Sequence, residues 1–215
     1  LIAMDERSPA EMKAMLSLLK EAAPTLGVAL ADNHKSYKLY PDQLIDLCVA
    51  HGATVEQDDR AYRAENNYVT TWYVSCAHDF PNVFTFSPPA EGAFIGWYTM
   101  ADNFDGFLRW AYNSYTKESP VDTRFRTWPA GDTHIVYPNS RSSIRFERLM
   151  EGIQDAEKIR IVRETLQQDT SDEGKQKLVE FNDLLETFNI LKRPENLEEM
   201  LAKGKAFLNN PELFK

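Results

Sequence analysis

Two adjacent carboxylates, Asp5 and Glu6, follow the short apolar run Leu1-Ile2-Ala3-Met4 and precede Arg7-Ser8-Pro9, which reads as a helix start. An acid pair at the carboxyl end of a buried strand stands where parallel α/β proteins keep their chemistry, and two carboxylates there suit general acid/base or electrostatic work. The plainer alternative is that acids near a helix N-terminus are favoured by its dipole without doing any reaction. Asp32 and His51 close the next two strand-like runs, where each is either a ligand-binding group or a cap or satisfied core residue. Four histidines, His34, His51, His78 and His134, show no metal-ligand spacing, so neither a metal nor another cofactor is expected.

The elements that must position these residues follow from periodicity and punctuation. Ser8-Pro9-Ala10-Glu11 has the N-cap serine, first-turn proline and following glutamate of a capping box, so a helix should start at Pro9 and run to Pro24. Met12, Met15, Leu16, Leu19 and Ala23 give it one apolar face. Gly27 to Asp32 reads as a second buried strand, Leu44 to His51 as a third, Val55 to Asn67 as a surface helix, and Thr70 to Cys76 as the clearest strand in the chain. A helix opens at Pro88-Pro89 and passes through Tyr98, and Asp105 to Asn113 supplies a fifth strand. Thr116 to Asn139 is loop-like, with a hairpin expected around Gly131-Asp132 and Ile135-Val136-Tyr137. A long helix follows from Ser143 to Gln167 with Ile144, Leu149, Ile153, Ile159 and Val162 on its apolar side. After a polar break at Asp169 to Gly174, helices near Gln176 to Asn189 and Pro194 to Asn209 complete the chain. Strands alternating with helices imply βαβ units, a parallel sheet and the α/β class.

Composition narrows the partners. The 215 residues carry a formal net charge of −9 with no Lys/Arg block, which argues against a nucleic-acid surface or an anionic membrane. No run approaches the roughly 18 to 20 apolar residues of a membrane span. Cys48 and Cys76 sit in apolar runs and read as small core residues.

Gly96-Trp97, the run Asp105-Gly106-Phe107-Leu108-Arg109-Trp110-Ala111-Tyr112-Asn113, Ala130-Gly131-Asp132, Val136-Tyr137-Pro138, Ser143-Ile144-Arg145-Phe146-Glu147 and Glu151-Gly152-Ile153-Gln154-Asp155 together resemble the C-terminal part of the catalytic domain of glycoside hydrolase family 123. The resemblance covers about residues 1 to 165. It implies a (β/α)8 TIM-type barrel of which strands four to eight are present, with residues 1–168 as the barrel part and 169–215 as a C-terminal helical extension. It also implies a catalytic Asp-Glu pair at the end of the fourth strand, where Asp5 and Glu6 fall. The implied activity is release of terminal β-linked N-acetylgalactosamine by a retaining, substrate-assisted mechanism, with Glu6 as acid/base and Asp5 orienting the acetamido group. Family members often continue the pair with proline, whereas Arg7-Ser8 intervene here, so the loop is shaped differently and an arginine stands beside the acid.

By the same resemblance Trp72 and Tyr73 lie at the barrel mouth, where an indole can stack on a sugar and a phenol can bond an acetamido oxygen, although strand alternation sends one of the two into the core. Trp110 and Asn113 end the last strand with the same two readings, core packing being favoured for Trp110, and Asp132 and Tyr137 are pocket-rim or turn residues. Asp32 and His51 become candidate sugar-hydroxyl ligands. Arg145, Glu147 and Asp155 are expected to dock the long helix through ion pairs. A five-stranded part leaves open edges, so a missing N-terminal portion of the barrel or a second copy is the expected partner beside a carbohydrate substrate. The family implies a bacterial secreted or periplasmic location. Two rivals remain open, a non-catalytic carbohydrate-binding barrel and a conventional glycosidase pairing Asp5 or Glu6 with Asp32.

Overall fold

Ser8 N-caps the first helix as its sequence demands: its side chain accepts from Glu11 N at 3.4 Å while Glu11 accepts from Ser8 N at 3.0 Å. In the computed structural model, which describes residues 1–214, this helix, α1 (Pro9–Ala22), follows β1 (Ile2–Asp5) and leads to β2 (Val28–Asp32). A 3-10 turn (Ser36–Lys38), β3 (Asp46–Ala50), α2 (Gln57–Glu65), β4 (Val69–Val74), α3 (Ala90–Ala101) and β5 (Gly106–Arg109) follow, and then α4 (Ile144–Gln168), α5 (Asp172–Glu186) and α6 (Leu197–Leu208). The chain divides into two compact units, one made of residues 1–73 and 104–108, the other of 74–103 and 109–215.

The sheet has the sequential order β1-β2-β3-β4-β5, with β1 to β4 paired in parallel. Sequential order without a reversal is the topology of a (β/α) barrel, whereas a doubly wound sheet turns back on itself at a switch point. The parallel α/β class and the barrel-type sheet expected from the resemblance are therefore present.

Register separates the strand residues into two faces with different compositions. Met4, Val28, Leu30, Leu47, Val49, Thr70, Trp72 and Val74 lie on one face and are all buried. The opposite face carries Ala3, Asp5, Ala29, Ala31, Cys48, Ala50, Thr71 and Tyr73, mostly small and only partly covered. Hydrophobic burial thus sets the orientation of the sheet, and the second face keeps room above it. β1 is an edge strand in which Met4 alone is buried, so the acid pair ends a half-exposed strand and not the buried one the sequence implied. Buried Arg63 ties α2 to the start of β4 and the segment before β3, donating to Leu44 O at 2.6 Å, Thr70 Oγ1 at 2.7 Å and Val69 O at 2.5 Å.

The second unit is a helical assembly around α3, which is buried from Ala90 to Thr99. Where α3 crosses α4, a Cβ on Gly96 would collide with the Gly152 carbonyl, and one on Gly152 would stand 2.6 Å from Ala93 O. Two glycines let the helix backbones touch, a contact no side chain could share. Gly96→Ala is expected to lose about 2–3 kcal/mol, read as a lowered midpoint in urea at unchanged slope. Beside this crossing Trp97 stacks on Phe188, centroids 4.5 Å apart, and donates its indole N–H to Asp155 Oδ2 at 3.0 Å.

Several expectations change in this unit. Ser171 caps α5, which begins at Asp172, so the polar stretch Asp169 to Gly174 is half helix: its acids favour the helix start instead of breaking it. Ile144 and Ile153 point to solvent, since α4 buries the stripe that runs through Arg145, Leu149, Gly152, Ile159 and Val162. Arg145 docks α4 through carbonyls and not through an ion pair, donating to Val83 O at 2.8 Å and Gly131 O at 2.9 Å. Glu147 accepts from Ser142 Oγ, and among the described residues Asp155 alone of the three has an ion-pair partner, Lys205 at 3.5 Å. The expected hairpin reduces to isolated antiparallel bridges, Asn113 with His134 and Tyr137 with Arg141. Cys48 is buried, but Cys76 is exposed.

Candidate active site

Glu6 leaves β1 in a left-handed conformation, φ 44°, with its N–H donated to Ala31 O at 2.9 Å. Plain alternation would send Asp5 and Glu6 to opposite faces. The left-handed turn, which costs a non-glycine residue roughly 1–2 kcal/mol, brings Glu6 back to the face that Asp5 already occupies, and Tyr73 OH donates to Glu6 Oε1 there. Both carboxylates remain exposed, as proton transfer to a ligand requires. Arg7 lies 3.7 Å from Glu11, so its guanidinium pairs along the helix.

The Tyr73–Glu6 bond has a geometric price. β1 and β4 stand three strand spacings apart, about 14 Å in a flat sheet, further than the two side chains can span. Their hydrogen bond therefore requires the small-residue face to be concave. Burial and the neighbouring Glu6 raise the Tyr73 phenol well above its ordinary value, so it stays a donor at any physiological pH. Cys48, on the same face, is a thiol pushed up to about 11 by burial and is not a nucleophile at neutral pH.

The other candidates divide. Trp72 is turned to the helix-covered face, 1% exposed, with Phe107 at 4.9 Å and Phe104 and His51 each at 6.3 Å between centroids. Alternation separates it from Tyr73 and places it in the core. Asp32 is buried, with Oδ1 accepting from His34 N at 2.8 Å and Oδ2 from Ser36 N at 2.6 Å, so its carboxylate shapes the loop after β2. His51 N–H donates to Tyr73 O at 2.9 Å, fixing the turn after β3.

β5 stops at Arg109, and Trp110 and Asn113 lie beyond it in the second unit. Trp110 is 41% exposed and not a core residue. Its indole N–H reaches Asp132 Oδ1 at 3.4 Å, and its ring meets Trp128 edge-on at 5.2 Å. Asp132 is fully buried and paired with Arg109 at 3.2 Å, a pair that spacing could not reveal because Gly131-Asp132 looks like a surface turn. Tyr137 packs against His134, centroids 5.3 Å apart. Among the described residues no cluster of three His, Cys, Asp or Glu could hold a metal, and no helix is long and apolar enough to cross a membrane.

His134 is buried, and burial together with Arg145 and Arg109 lowers its pKa. The unfolded chain takes up a proton near pH 6.5 that the folded state refuses, so this contribution is fully present above about pH 6.5 and is lost as pH falls through that value. His134→Gln is expected to have a flatter stability profile than the parent between pH 7.5 and 5, measured by urea melts. Glu91 and Asp155, whose pKa values burial raises, act in the opposite sense but equally in both proteins.

A sequentially ordered parallel sheet defines an α/β protein of the barrel class, and the acid pair lies at the end of its edge strand. The glycoside hydrolase 123 catalytic-domain family model matches residues 1–162, and the chain belongs to that family. Among solved structures it is similar to a family 123 glycoside hydrolase from Clostridium perfringens, studied for the details of glycolipid glycan hydrolysis, at 25% identity and a TM-score of 0.77. That similarity covers 99% of this chain, so it includes the C-terminal helices, and 40% of the other chain. No match was found among curated proteins.

Proposed function

We propose that this chain carries the reacting carboxylates of a glycoside hydrolase that removes terminal β-linked N-acetylhexosamine, N-acetylgalactosamine foremost, by a retaining, substrate-assisted mechanism. The observation that carries the reading is the left-handed turn at Glu6, which puts two adjacent carboxylates on one concave face. Glu6 gives its proton to the glycosidic oxygen as the carbonyl oxygen of the 2-acetamido group attacks the anomeric carbon and the bond to the leaving group breaks. Asp5 accepts the acetamido N–H, aims the carbonyl and offsets the positive charge of the cyclic intermediate. Water then opens that intermediate with Glu6 as base, and two inversions give net retention. An adjacent pair suits this scheme because the substrate supplies the nucleophile.

Tyr73 holds Glu6 Oε1, so the carboxyl group keeps one orientation through both proton transfers. A conventional pairing with Asp32 is disfavoured, since both of its oxygens are occupied by main-chain N–H groups. Secretion or a periplasmic location remains part of the proposal through family membership.

The test offers the intact protein aryl β-N-acetylgalactosaminide, aryl β-N-acetylglucosaminide and aryl β-galactoside. Turnover of an acetamido sugar with first release of the β-anomer, seen by NMR, and at least roughly 100-fold less turnover of the galactoside is expected. Equal turnover of the galactoside would overturn the role given to the acetamido group.

A further inference from the structure

In the second unit, three bases and one acid meet on the turn at residues 131–134. Arg145 Nη1 donates to Gly131 O at 2.9 Å and to Val83 O at 2.8 Å. Arg109 Nη2 donates to Asp132 O and, at 3.2 Å, to Asp132 Oδ1. His134 N–H donates to Gly131 O at 3.4 Å, and its ring meets those of Tyr115 and Tyr137 edge-on. Water is shut out of the group: the Arg109 and Asp132 side chains are 5% and 0% exposed, and Arg145 and His134 are 4% and 0% exposed.

The hydrogen bonding of this cluster is one-sided. Among the described residues, Arg109 Nε and Nη1, Arg145 Nη2, His134 Nε2 and Asp132 Oδ2 are buried without a hydrogen-bond partner. The three guanidinium nitrogens can only donate, and His134 Nε2 does so too when Nδ1 accepts from Thr133 Oγ1, 3.4 Å away. Asp132 Oδ2 is the single acceptor. A water molecule donates as many hydrogen bonds as it accepts, so water leaves the imbalance as it stands, whereas a species that only accepts removes it.

Charge points the same way. Burial disfavours the charge on both guanidiniums; Asp132 offsets only part of this at Arg109, and Arg145 adds repulsion there. The Tyr137 hydroxyl eases Arg145 in part, without the geometry of a hydrogen bond. Burial and the same two arginines hold His134 towards its neutral form. Two cations facing one carboxylate leave one positive charge where an uncompensated ion is strongly disfavoured.

We propose that Arg109, Arg145 and His134 bind one small monovalent anion of the halide class, chloride in practice, and that this ion fastens the turn at 131–134 to the start of α4. The near-complete burial selects an ion small enough to enter without its water shell. The charge excess of one selects a monovalent ion over a divalent one such as sulfate. This site is independent of the hydrolase reading.

The full chain is prepared in gluconate buffer, and its melting temperature is followed as chloride, bromide or sulfate replaces gluconate at constant ionic strength. Chloride and bromide are expected to raise the midpoint by roughly 3–6 °C and to saturate, as a ligand of the folded state does, while sulfate leaves it unchanged. A bromide-soaked crystal should show an anomalous peak in contact with Arg109 and Arg145. Arg145→Gln, which removes the excess charge, should abolish both the rise and the peak. If that variant does not fold, the sulfate comparison and the peak in the parent protein decide. An equal rise with sulfate, a rise that does not saturate, a halide effect that survives Arg145→Gln, or bromide found only on the surface, an adventitious ion only, overturns the site.

Discussion

Glu6→Gln in the intact protein is expected to slow cleavage of a saccharide β-N-acetylgalactosaminide by roughly 10²–10⁴-fold. The amide keeps the shape of the side chain and can still accept from Tyr73, so what is lost is the proton given to the leaving oxygen and later taken from water. The deficit should narrow for a nitrophenyl glycoside, whose leaving group departs as a stable anion and needs less protonation. Asp5→Asn should cost roughly 10²–10³-fold with both leaving groups, because the charge it removes serves the cyclic intermediate and not the departing oxygen. Since both carboxylates are exposed, melting temperatures should hardly move. Unchanged turnover in both variants would remove the catalytic assignment of the pair, and an intact protein that binds the sugar without turning it over would leave a carbohydrate-binding barrel as the better account.

The largest stability loss is expected at a residue remote in sequence from that pair. Asp132→Ala removes the carboxylate that meets Arg109 at 3.2 Å, where the two side chains are 0% and 5% exposed. The Arg109 Nε and Nη1 atoms have no hydrogen-bond partner among the described residues, and without the carboxylate Nη2 keeps only the Asp132 carbonyl. A guanidinium stranded in this way costs about 3–5 kcal/mol, or a fall in melting temperature of about 6–20 °C for a chain of this size. Replacing both partners, as Arg109→Met with Asp132→Leu, should recover most of the loss, since the desolvated charge goes with its partner. A single variant that melts with the parent would show that the pair is solvated.

The contrast between these two sites explains how much was legible in the sequence. Asp5-Glu6 could be found because local signals converge on it: an apolar run ends, a capping box begins, and the acids lie between. The strands β1 to β4 and their parallel order followed from the same local grammar. The turn that makes the acids neighbours on one face was not visible, because a left-handed glutamate has no compositional mark. Trp72 and Tyr73 could not be ranked until register showed which of them shares a face with Asp5. β5 was drawn too long because Trp110-Ala111-Tyr112 has strand composition, whereas Trp110 reaches Asp132 and Tyr112 meets the Phe146 ring edge-on. The Arg109–Asp132 pair joins positions 23 residues apart, and only tertiary structure brings them together.

The bond between Tyr73 and Glu6 makes the acid a gauge of how tightly the sheet is rolled. Neither residue lies on β2 or β3, yet both strands must keep their register for the phenol to reach the carboxylate. A perturbation that relaxes this roll by a few degrees per strand would release the acid while every ladder stayed intact. Activity would then fade before the far-ultraviolet signal, coupling chemical readiness to a mechanical property of the sheet.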